Sequence, residues 1–136
     1  VLEAARLVAD AVLIMLDTDD DCAVELAATI RRVAASVAPG FPVRVVCAVR
    51  EYEAWFLAAA ESLRGKRGLP PDLQRPEEPE QIRDAKGWLS ERMAQRYSPT
   101  LDQPALSALI DTTECAVYSR SFRKLVSEVT ALAGAP

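Results

Sequence analysis

The chain contains no histidine, and this absence alone removes Ser-His and Cys-His nucleophile pairs and the imidazole ligands of zinc sites. Cysteine is scarce as well. Cys22, Cys47 and Cys115 are an odd number at wide spacings, with no Cys-x-x-Cys pair, so a disulfide framework is not expected and a reducing, cytoplasmic compartment is. The five glycines form no phosphate-cradling loop, since Gly65-Lys66-Arg67-Gly68 lacks the Walker spacing. Long hydrophobic runs are missing: Ala11 to Leu16 and Trp55 to Ala60 fall far short of the roughly 20 residues that span a bilayer, so no membrane association is expected. The start, Val1-Leu2-Glu3-Ala4-Ala5-Arg6, lacks secretory order and a methionine, and a truncated N-terminus is therefore expected. An excess of positive charge is absent too. Sixteen Lys and Arg against twenty Asp and Glu leave a net charge of −4, so any contact with a phosphate backbone must be local.

What remains is the composition of an ordinary folded domain. The 136 residues are half apolar and about a quarter charged, enough for one core and too few for two. The pattern predicts an α/β fold. Val1 to Ala9 reads as a lead-in helix. Ala11 to Leu16, apolar without alternation, reads as a central parallel strand covered on both faces. Val24, Ala27, Ile30, Ala34 and Val37 recur at helical spacing until Pro39-Gly40. Val43 to Val49 follows as a second β-branched strand. A crossover of this kind joins parallel neighbours, so both strands should end on one edge of the sheet, where ligands bind in open α/β folds.

The C-terminal half reads as helical: Glu53 to Leu63, Ile82 to Arg96, Pro104 to Ile110, Thr112 to Tyr118, and a last helix capped by Ser121 with Phe122, Leu125, Val126 and Val129 on its apolar face. Residues 64–81, rich in proline, read as a loop or lid.

The sharpest chemical signal is Asp17-Thr18-Asp19-Asp20-Asp21, four aspartates in five residues directly after a strand. In extended backbone, residues two apart face the same side about 7 Å from each other. Asp17 and Asp19 could then share one magnesium or manganese ion while Thr18 points away; alternatively they are turn residues. Asp20 and Asp21 are expected to cap the following helix. Arg50-Glu51-Tyr52-Glu53-Ala54-Trp55-Phe56 begins where the neighbouring strand ends, so Glu51 and Glu53 could complete a metal cradle, Glu51 being the better ligand. The simpler reading makes Glu53 a helix-start residue and packs Trp55 and Phe56 in the core.

Asp84-Ala85-Lys86 is the third feature. Lys86 could balance charge on a leaving group, or form an ordinary helix salt bridge. Arg64, Lys66, Arg67, Arg120, Arg123 and Lys124 could gather into a phosphate-binding patch for DNA or RNA, or simply be solvated surface. Ser119 and Ser121 are better explained as caps than as phosphate contacts.

The run Leu13 to Cys22, with Arg50 to Phe56, Asp84-Ala85-Lys86 and Ser119-Arg120-Ser121-Phe122, resembles a bacterial domain-of-unknown-function family, number 4276, related to the Toprim superfamily. The resemblance covers nearly the whole chain. It implies a Toprim-like, mostly parallel sheet flanked by helices, and a magnesium-dependent phosphodiester activity such as that of a nuclease or nuclease component. By that likeness Asp17 and Asp19 match the Asp-x-Asp pair. With Glu51 from the neighbouring strand end and Lys86 as a charge-balancing lysine, Asp17, Asp19, Glu51 and Lys86 are the candidate catalytic residues. Some members of the group resemble accessory proteins beside ATPases in phage-defence clusters, so a noncatalytic module that docks an ATPase is the alternative. The superfamily glutamate lies on a strand before the Asp-x-Asp strand, a point this chain starts after. Glu3, on the lead-in helix, is a poor substitute. A nucleotide-sugar transferase reading of Asp-x-Asp would need a nucleotide-binding half, for which the sequence shows no motif.

Overall fold

A computed structural model describes residues 1–134 apart from the side chain of Glu3, so the comparison of Glu3 with the superfamily glutamate lies outside it. After a short helix α1 (Leu2–Ala5), strand β1 (Val12–Asp17), helix α2 (Ala23–Val37) and strand β2 (Val43–Ala48) form the expected strand–helix–strand unit. The strands pair in parallel from Val12 opposite Val43 to Asp17 opposite Ala48. The rest is helical: α3 (Ala54–Ala58), 3₁₀ turns at Ala60–Leu63 and Pro79–Gln81, α4 (Ala85–Arg92), α5 (Pro99–Ser107), α6 (Thr112–Tyr118) and α7 (Arg120–Ala133).

Side-chain alternation along β2 sorts the core. Val45 and Cys47 pack on α2 through Ala27, whereas Val46 and Ala48 pack on Trp55, Cys115 and Phe122. A further cluster joins Phe56, Leu57 and Leu63 to Leu89, Tyr97 and Leu106. Segment 64–81 contributes Leu69 and Leu73 to that cluster, and Arg64 Nε donates to the Leu73 carbonyl at 2.7 Å.

Several local expectations shift. Strand β1 is not central: among the described residues its one partner is β2, and Met15 is 45% exposed. A continuous apolar run reports low polarity and cannot count neighbours. The Glu53–Leu63 helix breaks after Ala58 because the N–H groups of Glu61 and Ser62 turn outward to the Glu114 carboxylate, at 3.2 and 3.1 Å. Helix α4 starts late, since Asp84 caps it by accepting from the Gly87 N–H at 2.7 Å. It also stops early, and Ala94 N–H instead donates to the Gly68 carbonyl at 2.9 Å. Helix α5 begins at Pro99, since proline at the first helical position forfeits no bond, and runs through Pro104, whose missing N–H leaves one intrahelical bond unmade. The cap of α7 is Ser119, accepting from Phe122 N–H at 3.0 Å, and Ser121 lies within the helix. Asp20 and Asp21 do not cap α2, whose N-cap is Cys22 without a side-chain bond.

Candidate functional site

The two strand ends are stitched together before any acid reaches the rim. Thr18 N–H donates to the Ala48 carbonyl at 3.1 Å and Asp19 N–H to the Arg50 carbonyl at 2.9 Å. Thr18, 2% exposed, turns inward and accepts the Arg50 N–H on Oγ1 at 2.8 Å. Asp19 and Arg50 adopt left-handed backbone, with φ of 49° and 62°, a conformation costing about 1 kcal/mol or more for a residue with a Cβ. The stitching is what holds them there. Arg50 Nη1 reaches Asp20 Oδ1 at 2.8 Å, and Arg83 joins the same oxygen at 3.1 Å. This explains Asp20 as a surface partner of two guanidiniums.

Asp17 ends β1 and accepts the Tyr52 N–H on Oδ1 at 2.8 Å, which anchors the segment carrying Glu51 and Glu53. Glu51 Oε2 accepts the N–H groups of Ala85 and Lys86 at the start of α4, at 2.8 and 3.2 Å. Its Oε1 meets Lys86 Nζ at 3.0 Å. Glu53, 0% exposed, accepts from Tyr97 Oη at 2.8 Å and Gln103 Nε2 at 3.2 Å through Oε1. Its Oε2 lies 3.1 Å from Lys86 Nζ, an electrostatic contact whose angle falls outside hydrogen-bond geometry. The Lys86 ammonium thus bridges two glutamates and opposes the charge of Asp17.

The electrostatics agree with that arrangement. Burial lifts the Asp17 carboxyl above its usual range, with Glu53 and Glu51 adding to the shift and the Tyr52 N–H and Lys86 opposing it. For Lys86, desolvation would lower the ammonium, but its contacts with the Glu51 and Glu53 carboxylates prevail and hold it above the ordinary value. Burial, with the Glu53 carboxylate, pushes the Tyr97 hydroxyl well up, keeping it a donor.

The structure brings Asp17, Glu51, Glu53 and Lys86 together. Asp19 stays exposed, and among the described residues its carboxylate accepts no hydrogen bond. As a donor set for magnesium, Glu51 and Glu53 are already engaged by Lys86, backbone N–H groups, Tyr97 and Gln103. No group of three Asp, Glu or Cys among the described residues is arranged around a metal position. Among the described residues Asp17 keeps one carboxylate oxygen without a hydrogen bond and Asp19 both, so these are the oxygens left to meet a cation that takes one or two carboxylates and completes its shell with water.

The basic residues divide. Arg64, Arg67 and Arg123 hold Leu73, Asp102 and the last carbonyls of α6 respectively. Arg120 and Lys124 line a groove beside α2. Ser119 and Ser121 both meet Glu80 Oε1 at 2.6 Å, tying the 3₁₀ turn at Pro79–Gln81 to α7. Tyr97, Gln103 and Thr18 carry no local signature in the sequence, because their partners are remote in the chain.

No match to this chain is found among curated proteins or among solved structures. A family model, described as a domain of unknown function (DUF4276), matches residues 2–130, and the chain belongs to that family.

Proposed function

We propose that this protein is a Toprim-like, phosphodiester-processing protein, acting as a nuclease or nuclease component in which Asp17 and Asp19 hold magnesium or manganese. The observation that carries the reading is the meeting of Asp17, Glu51, Glu53 and Lys86 at the carboxyl edge of two adjacent parallel strands, the edge that binds ligands in open α/β sheets. A bound divalent cation would polarise a phosphoryl oxygen and activate water. Glu51 and Glu53 clamp Lys86 from two sides, so the ammonium is oriented in advance for charge developing on a leaving oxygen. Asp17 is itself fixed by the Tyr52 N–H.

The test is cleavage of supercoiled DNA, single-stranded DNA and RNA by the full-length protein with magnesium or manganese. Asp17→Asn and Asp17→Ala should abolish metal-dependent cleavage, and Lys86→Met should reduce it. Undiminished cleavage by folded Asp17 variants would exclude this mechanism.

One observation favours the alternative, a noncatalytic module that docks an ATPase: Lys86 already pairs with both Glu51 and Glu53 internally, so neither glutamate needs a metal as its partner. Magnesium titration separates the two. A metal site raises the melting temperature at millimolar magnesium in an Asp17-dependent way, and a docking module does not respond.

A further inference from the structure

Asp17 belongs to the sheet face shared by its register partner Ala48, packed on Trp55 and Phe122. The opposite face, made by Val45 and Cys47 against α2, has a feature the strand-end chemistry does not use. Between α2 and the start of α7 lies a cavity of about 480 Å³, within the roughly 300–1,000 Å³ typical of small-molecule sites. Its floor is aliphatic, formed by residues such as Ala27, Val45, Cys47 and Val49, and its rim carries Arg31, Arg120 and Lys124. Among the described residues no carboxylate lines it. Lys124 is tied to Glu128, which also pairs with Arg44 and feels the charge of Arg31; Arg31 and Arg120 themselves form no ion pair among the described residues. In a chain of net charge −4, three cationic side chains sharing that one carboxylate over an apolar floor call for an anion with an apolar body. Two planar forks match a phosphate dianion better than the single charge of a carboxylate.

We propose that the groove between α2 and α7 binds a small organic phosphate of the nucleoside monophosphate class, its phosphate on Arg31 and Arg120 and its flat body on the aliphatic floor. The inference is independent of the strand-end reading, since it invokes neither Asp17 nor a metal.

Isothermal titration of the full-length protein with the four ribonucleoside 5′-monophosphates, without divalent metal, tests it. At least one should bind saturably, about tenfold or more tighter than its nucleoside or inorganic phosphate, the loss expected when a charge-assisted contact is removed. Arg31→Gln and Arg120→Gln should each weaken binding several-fold with an unchanged melting curve, and Asp17→Asn should leave it intact. In a Cys22→Ser background, bound nucleotide should also slow alkylation of Cys47 on the floor. The proposal is overturned if no monophosphate saturates, if nucleoside or inorganic phosphate binds equally well, or if both arginine variants bind normally. A single-stranded oligonucleotide that binds where mononucleotides fail would overturn it in favour of a nucleic-acid surface.

Discussion

Replacing Lys86 with methionine removes the ammonium that lies between Glu51 and the buried Glu53 while keeping the aliphatic stem. Breaking a fully buried ion pair from one side costs about 3–5 kcal/mol, and an exposed pair contributes about 1 kcal/mol or less. Here the Lys86 side chain is 37% exposed, Glu51 18% and Glu53 0%. Solvent screening at Lys86 therefore reduces the buried figure, and Glu53 keeps Tyr97 and Gln103 as donors. The expected loss is about 2 kcal/mol, or roughly 5–8 °C in Tm for a chain of this size. Urea unfolding of K86M, E53Q and the double variant measures it, and E53Q should offset about half of the loss by removing the stranded charge. The pH dependence adds a sign. Lys86 is held above its ordinary 10.5, so its contribution is complete below that value and is lost as pH rises through the higher folded value. Tyr97 titrates in the same direction, so the diagnostic quantity is the difference between parent and K86M, which should shrink in alkali. A K86M variant within about 0.5 kcal/mol of the parent, or an E53Q change that offsets nothing, would refute the idea that Lys86 is the internal counterion.

Asp102 should govern acid stability: desolvation would raise its carboxyl, but the Ser98 N–H and Arg67 at 2.7 Å hold it below the usual range, so its stabilisation is present above the ordinary carboxylate value and lost as pH falls through the folded one. Asp102→Asn should flatten the acid limb of a melting-temperature profile. Thr18→Val should cost about 1–3 kcal/mol in chemical denaturation by orphaning the Arg50 N–H. Gly87→Ala would ordinarily gain about 1 kcal/mol of helix propensity, but the new Cβ would overlap the Asp84 carboxylate that caps α4. It should therefore destabilise, and Asp84→Ala should recover the propensity gain in the double variant.

The apolar runs at Val12–Leu16 and Val43–Ala48, with the helical repeat between them, determine the parallel pair and bring Asp17 and the Glu51–Glu53 segment to one edge. These are short-range patterns joined by a crossover of fixed hand, so they are written into the chain itself. The boundaries of α6 at Thr112–Tyr118 were equally legible, because Asp111 offers its cap locally. Partner choice was not. Whether Glu53 faces solvent or the core, whether Glu51 serves a metal or the start of α4, and which serine caps α7 depend on groups brought together by folding. Glu51 meets Lys86 across 35 residues and Glu53 meets Tyr97 across 44. Tertiary packing alone decided these matters, since a buried carboxylate must find its compensating donors wherever the fold places them.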